Sequence, residues 1–451
     1  MRLYFLGICG TFMAGVATLA RDLGHEVAGC DSNIYPPMSE VLTRAKIQLD
    51  LGYDFEPVKQ FNPDLVIVGN AISRGNVALE AILKANIHYT SGPEWLYDHL
   101  LKDRHVLAVS GTHGKTTVSS ILTWLLAQAG QQPGFLIGGV PKNFNQSSAL
   151  GKGPYFVIEA DEYDTAFFDK RPKFMHYRPK TCIINNIEFD HGDIYENLDV
   201  IKKQFGYLVR TVPSNGVIVA ASNDQNVKQV IEQGCWSKVE WFDDHDAQWR
   251  VESLSKDCHH FLIYCNEENL AEITWNEYGR HNMHNALAAF VAAFQLNIPV
   301  ATLQSALASY QGVKRRLEVR GVANNITVYD DFAHHPTAIA ATLTALKSKT
   351  ERGRVFAIAE LGSNSMSQGL HQKQLPEAFA HADSVYIYKP NSIKWNIDEM
   401  VQQLTSPCFI GSDIDDIVSE VVKDAKPGDQ LLVMSNKSFA GIHERLLAAL
   451  S

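Results

Sequence analysis

Short apolar runs recur along this chain, and most of them break off in a loop of glycine and polar residues before apolar positions return every third or fourth residue. That change of period, from a buried strand to an amphipathic helix, predicts repeated strand-loop-helix units and hence parallel α/β sheets. Leu3 to Leu6 reads as a strand, Gly7 to Gly15 as its loop, and Val16, Leu19, Ala20 and Leu23 as one helix face that stops at Gly24; a second strand ends at Asp31. Leu65 to Val68 reads as another strand, and Pro93 opens a helix. The same rhythm returns at Val106 to Val109, Phe156 to Ala160, Cys182 to Ile184 and Val217 to Ala221. The stretch from Val239 to Trp275 alternates instead, as antiparallel strands do, and an Ala-rich helix follows Gly279. A last series has strands at Ile326 to Tyr329, Val355 to Ala359, Val385 to Tyr388 and Gln430 to Met434. Polar steps at Lys102-Asp103-Arg104 and Lys314-Arg315-Arg316 divide the chain into expected domains 1–103, 104–313 and 314–451.

The most informative loop is Gly111-Thr112-His113-Gly114-Lys115-Thr116-Thr117, between a strand and a helix. Glycines let backbone N–H groups close on an oxyanion, and the helix start adds favourable partial charge. Lys115 would then reach the outer phosphates and the Thr116 hydroxyl would ligate magnesium; the alternative is a Gly-rich strand-to-helix turn with an incidental lysine. The loop is the shorter G-x-x-G-K-[ST] form, because Val109 and Ser110 leave no place for a further glycine. Two later strands deliver polar groups to the same sheet edge, one ending in Glu159-Ala160-Asp161 and the other in Asn185 to His191. Glu159 and His191 are therefore the expected partners of a second magnesium, although magnesium prefers oxygen and His191 would be an unusual ligand. Asn282 and Asn285, one helical turn apart, present amides suited to an adenine edge. Arg315-Arg316 reads either as a phosphate contact or as a surface pair.

The first loop has the outline of a dinucleotide fold without its fingerprint, since Cys9 stands where the second glycine belongs. Gly7, Cys9, Gly10, Thr11 and Phe12, with Asp31, Asn70 and Ser73 at the same edge, suit a nucleotide sugar; a redox cofactor and a purely structural turn are the alternatives. The expected fold is thus α/β in three domains. The first is Rossmann-like, the second ATPase-like with a parallel sheet and a phosphate loop, and the third doubly wound.

Composition narrows the partners. The 451 residues carry a net charge of -10, which argues against general affinity for nucleic acid or anionic membrane and requires any anion site to be local. No run approaches the ~20 apolar residues of a membrane span, and Met1 to Leu6 reads as a first strand, so a cytoplasmic location is expected. The seven cysteines are scattered without C-x-x-C spacing, and buried free thiols are the default.

Taken in order, Gly111 to Thr117, Glu159-Ala160-Asp161-Glu162, Asn186 to His191, His281-Asn282-Met283-His284-Asn285, Arg315-Arg316 and Asp330-Asp331 resemble the ATP-dependent Mur ligases of peptidoglycan synthesis over essentially the whole chain. Four further strings are similar to the branch of that family that adds a whole peptide during peptidoglycan recycling: Gly7 to Met13, Tyr35-Pro36-Pro37-Met38-Ser39, Phe167 to Arg171, and Asp330 to Thr337. The resemblance implies UDP-N-acetylmuramate on the first domain, ATP on the second, a third domain closing over both, and the tripeptide L-alanyl-γ-D-glutamyl-meso-diaminopimelate as the amine. It also implies adenine contacts from Asn282 and Asn285, a phosphate contact from Arg316 and a nucleotide contact from Asp331. The lactyl carboxylate would be activated as an acyl phosphate and attacked by the alanine amine. The basic residues Lys170, Arg171, Lys173 and Arg178 are expected either to capture the acidic tripeptide or to form a solvated loop.

Three positions depart from the family pattern. Phe205 occupies the place of a lysine that some relatives carbamylate, Leu361-Gly362 replaces Pro-Arg, and Lys437-Ser438 replaces Gly-Gly. The competing readings are the L-alanine-adding ligase of the same family, a dinucleotide-dependent oxidoreductase that would leave Lys115 unexplained, and an ATP-driven binding switch.

Overall fold

The computed structural model describes residues 1–34, 38–192, 194–243 and 247–451, so Tyr35, Pro36 and Pro37 of the quoted string lie outside the described residues. Three large sheets follow one another along the chain, and a two-stranded one, Asp164–Ala166 with Asp169–Pro172, accompanies the second. The first has five parallel strands in the order Gln48–Leu51, Glu26–Asp31, Arg2–Leu6, Leu65–Val68, Tyr89–Ser91. The chain winds outward from Arg2–Leu6 on one side and then on the other, so the C-terminal ends of Arg2–Leu6 and Leu65–Val68 open a crevice at the reversal. The loops Gly7 to Gly10 and Gly69-Asn70 border it.

In the second sheet His105–Ser110 lies between Thr181–Ile184 and Tyr155–Glu159, parallel to both. Each of these strands is almost wholly buried, as strands covered on both faces must be, and each ends in the polar loop that the sequence marks. The alternating stretch divides differently from expectation. Lys238–Phe242 runs parallel to Val217–Ala221 and extends the parallel sheet, whereas Trp249–Ser253, His260–Cys265 and Glu268–Thr274 form the antiparallel edge. Glu240 explains the misreading: it is a buried carboxylate that accepts the Trp249 indole N–H at 2.7 Å, a polar residue on an inward face.

The third sheet follows the order Glu318–Ala323, Ile326–Asp331, Gln430–Met434, Val355–Glu360, Ser384–Tyr388, Cys408–Gly411, with the first strand antiparallel and the rest parallel. The last strand of the chain thus sits between two earlier ones. Domains one and two share a continuous core, in which Leu3, Trp95, Leu136 and Phe205 belong to one cluster. Gly15 permits this packing, because a Cβ there would drive into the Leu136 side chain.

Candidate active site

The phosphate loop is held from below by a polar segment. The amides of Thr112 and His113 donate to the carbonyl and side-chain oxygen of Asn186 at 3.0 and 2.7 Å, and Asn185 and Asn186 both donate to the His113 carbonyl at 3.1 Å. Those two loop amides are therefore committed to the protein. The cradle open to an anion is instead Gly114 and the first turn of helix Lys115–Gln128, whose N–H groups have no preceding helical carbonyl. Gly114 is required here: its φ is +83°, and a Cβ would lie 2.5 Å from Asn185 Nδ2 and Asn285 Oδ1.

Lys115 folds across the loop, donating to the carbonyls of Gly111 and Thr112 at 2.8 and 3.3 Å and to Glu162 at 2.7 Å. Burial alone would lower its ammonium, but Glu162, Asp161 and Glu159 outweigh that and hold it above its ordinary value. Thr116 donates to Glu159 at 3.0 Å, and the other oxygen of Glu159 accepts the Gly138 N–H at 2.7 Å. Burial pushes the Glu159 carboxyl up against the pull of Lys115. Glu162, which the sequence reading left out of the site, is buried between Lys115 and His191, with His191 Nε2 at 3.2 Å from its second oxygen. Asp161, Glu162 and His191 form a cluster whose ligating atoms lie within 4.8 Å of one another, and Glu159 is not one of the three. The third acid of Glu159-Ala160-Asp161-Glu162 was the available signal for Glu162.

His191 itself is set by its backbone, with φ +56°, a left-handed conformation uncommon outside glycine and costly enough to need surrounding support. That support is local: the His191 carbonyl accepts from Ile194 and Tyr195, and the Tyr195 hydroxyl bonds the Glu162 carbonyl. The Tyr163 ring packs against that of His191 at a tilt of 53°, with 4.1 Å between ring centres. Burial disfavours the imidazolium, but Glu162 and Asp190 raise it overall.

Of the groups expected at the first domain, Cys9, Gly10, Thr11, Phe12 and Asn70 line the same cleft, and helix Thr11–Asp22 begins there at Gly10 without a side-chain cap. Gly7 and Asp31 stand behind it. Gly7 turns the chain at φ +77°, and Asp31 accepts the Cys9 amide at 2.9 Å, so its carboxylate positions the loop. Ser73 is exposed, its carbonyl taken by the Asn76 amide. Burial and Asp31 raise the Cys9 thiol to about 11, which makes it an inert lining group.

Asn285 lies against the phosphate loop, accepting from Asn185 at 3.0 Å and donating to Asn282 at 3.4 Å, while Asn282 donates to the Tyr278 carbonyl. Arg315 is consumed by structure, donating to the carbonyls of Ser435 and Lys437 at 2.7 Å. Its neighbour Arg316 lines the cleft above the Phe332 ring, and Asp331 accepts the Leu317 and Ala333 amides at 2.7 Å each. The basic stretch does not act as one cluster. Lys170 and Arg171 point outward, paired with Asp164 and Asp169, and Arg178 lies on Tyr97, whereas Lys173 is buried, bonds Asp161 and lines the cleft. Phe205 packs on Phe174 inside the core, and Lys437 reaches the cleft while Leu361 is buried.

These loops from all three sheets face one cleft of about 2090 Å³. Sequence models described as the Mur ligase family catalytic domain, the Mur ligase middle domain and the Mur ligase glutamate ligase domain match residues 2–104, 109–293 and 315–437. The chain belongs to the Mur ligase family. It is 49% identical to the UDP-N-acetylmuramate--L-alanyl-gamma-D-glutamyl-meso-2,6-diaminoheptandioate ligase of Haemophilus influenzae, over 99% of this chain and 98% of the relative. The ligase of the same name from Escherichia coli is 50% identical over 100% of this chain and 98% of its own length. A crystal structure of a murein peptide ligase from Psychrobacter arcticus superposes with a TM-score of 0.78 at 42% identity, covering 100% of this chain and 98% of that one. As a Mur ligase the protein is an ATP-dependent ligase, and no helix among its described residues is long and apolar enough to cross a membrane.

Proposed function

We propose that this Mur ligase joins the amine of L-alanyl-γ-D-glutamyl-meso-diaminopimelate to the lactyl carboxylate of UDP-N-acetylmuramate, with ATP and magnesium, during cytoplasmic recycling of peptidoglycan. The observation that carries the reading is the shared cleft: a capless helix start beside Phe12, the Gly114 to Thr117 cradle, and the Asp330 to Thr337 loop all open into it. Three bound parts could meet there.

The donor set fits magnesium. The Thr116 hydroxyl, Glu159, Asp161 and Glu162 offer the oxygens a hard cation prefers, and the three carboxylates outnumber the two ammonium groups beside them, Lys115 and Lys173. Glu159 with Thr116, and His191 through its acidic neighbours, are our candidates to hold it. When bound, ATP supplies the γ-phosphoryl group that makes the acceptor carboxyl reactive toward an amine.

The chain's own residues then have positional and electrostatic work. Lys115 would turn from the loop carbonyls to the β- and γ-phosphates, Gly114 to Thr117 would enclose them with Gly111, Thr112 and His113 as the braced part of the loop, and Arg316 would face the same charge from the third domain. Asn282 and Asn285 are our candidates near the base, with Asp331 fixing the loop that closes on the nucleotide. Gly7, Cys9, Gly10, Thr11, Phe12, Asp31, Asn70 and Ser73 would form and brace the sugar-nucleotide site. Burial of this machinery strengthens each charge interaction relative to water.

Incubation of the protein with ATP, magnesium and UDP-N-acetylmuramate, plus either the tripeptide or L-alanine, tests the reading. We expect ADP release that requires the tripeptide. Release that requires L-alanine instead would assign the chain to the alanine-adding branch, and release without either would make it a binding switch.

A further inference from the structure

Lys173 is out of place for a residue in a charged surface stretch. Its side chain is only 9% exposed, and its ammonium lies 3.3 Å from Asp161. The same nitrogen sits 5.4 Å from the ring centre of Phe12 in the first domain's glycine loop, and 5.4 Å from that of Tyr163, which packs on His191. Lys173 therefore stands at the seam between the loop of the first domain and the acids around Lys115.

The turn that carries it is rigidly seated. The Lys173 amide donates to the Tyr163 carbonyl at 2.9 Å, and the next residue, Phe174, is fully buried against Phe205 at 5.5 Å between ring centres. An ammonium has three donors, and among the described residues Lys173 meets one carboxylate acceptor and two ring faces. Those contacts leave part of its hydrogen-bonding capacity unused, and the residue lines the cleft.

Resting on the function proposed above, we infer that Lys173 binds the acceptor carboxylate of the sugar nucleotide and holds it between Phe12 and the phosphate loop. A carboxylate activated by the outer phosphate of ATP has to lie between those two loops, where negative groups repel it: Glu159, Asp161 and Glu162 are all there. A buried ammonium at that seam offsets the repulsion and gives a charge-assisted hydrogen bond of defined direction. Asp161 in turn keeps the ammonium from turning away.

Calorimetric titration of the full chain with UDP-N-acetylmuramate and with UDP-N-acetylglucosamine, which lacks the lactyl acid, tests this without catalysis. We expect the wild type to prefer the acid by about tenfold or more, the scale of one charge-assisted hydrogen bond. Lys173→Met should lose that preference while still binding the neutral sugar nucleotide, and Lys173→Arg should keep most of it. The double variant Asp161→Asn, Lys173→Met, which leaves no unpaired acid, guards against loss of fold and should behave like Lys173→Met. Undiminished preference in Lys173→Met, or equal affinity of the wild type for both sugars, would overturn the inference. A wild type that binds neither sugar nucleotide would instead sink the proposed function, and this inference with it.

Discussion

The Thr337 hydroxyl donates to Glu188 Oε2 at 2.8 Å, joining the third domain to the segment that braces the phosphate loop. The same carboxylate oxygen lies 3.1 Å from His113 Nε2 and 3.7 Å from His335 Nδ1, and the two imidazoles pack at 4.6 Å. Burial would raise the Glu188 carboxyl, but His113, Thr337 and His335 bring it down to about 2. One charged side chain thus ties the loop at Gly114 to the lid that covers it. Thr337→Val should weaken docking by about 1–2 kcal/mol, a hydrogen bond to a charged group, and lower kcat roughly tenfold. Steady-state kinetics with small-angle scattering check this; an unchanged kcat would mean that docking does not depend on the contact.

Lys115→Met should abolish ADP formation, by ~10³-fold or more, because it removes the buried cation that folds across the phosphate loop at the start of its helix. Binding of UDP-N-acetylmuramate, measured without ATP, should persist. Normal turnover by this variant would remove the phosphate loop from the reaction.

Gly114→Ala combines a positive φ with a Cβ 2.5 Å from two amide atoms. Backbone strain of ~1–2 kcal/mol and displacement of Asn185 and Asn285 should lower the melting temperature and weaken ATP binding together. Retention of both would mean that the loop relaxes without reaching its bracing residues.

Glu277 supplies a pH dependence of stability. Burial raises its carboxyl from 4.5 to about 7, with Lys142 and Lys349 opposing. The unfolded chain releases this proton near its ordinary value, so the native state binds more protons between about 4.5 and 7. Stability from this group therefore falls as pH rises through that window and is level above it. Glu277→Gln should stabilise the protein by about 3 kcal/mol at pH 8 and by less than about 1 kcal/mol at pH 5. Melting curves at the two pH values decide, and an equal shift at both would exclude the carboxyl as the cause.

Arg171→Ala should leave the tripeptide KM within about twofold of wild type. Its guanidinium is mostly exposed and already held by Asp169 at 2.6 Å. A large rise in tripeptide KM with unchanged KM values for ATP and sugar nucleotide would restore the peptide-capture reading for the outer part of that stretch.

What the sequence made legible was chemistry that is contiguous along the chain. A strand, a glycine loop and a helix start at Lys115 are neighbours in sequence and in space, so their spacing carried the geometry with it. The same held for the parallel character of strands that are buried on both faces. Pairings across the chain were not legible, because nothing near Lys173 in sequence announces Asp161 as its partner or separates it from Arg171, two residues away. Four basic residues between positions 170 and 178 had looked like one surface; the turn that carries Lys173 sends it to the side opposite Lys170 and Arg171. Glu240 misled for the opposite reason, as a buried acid stabilised by the distant Trp249 gave a parallel strand the alternation of an exposed one. Asn186 likewise acts through partners 73 residues away, and only folding shows that it uses two amides otherwise available to phosphate.

The place of Gln430–Met434 in the middle of the third sheet has a consequence for how the chain is made. Ile326–Asp331 and Val355–Glu360 flank that strand and do not pair with each other, so a nascent chain that has emerged only as far as its neighbours has two half-sheets with open, apolar edges. The lid can be completed only when synthesis has passed Met434, whereas the two preceding sheets need nothing beyond their own residues. A ribosome stalled in the last stretch would therefore carry two finished domains and a third that is prone to aggregate, and chaperone demand should concentrate there.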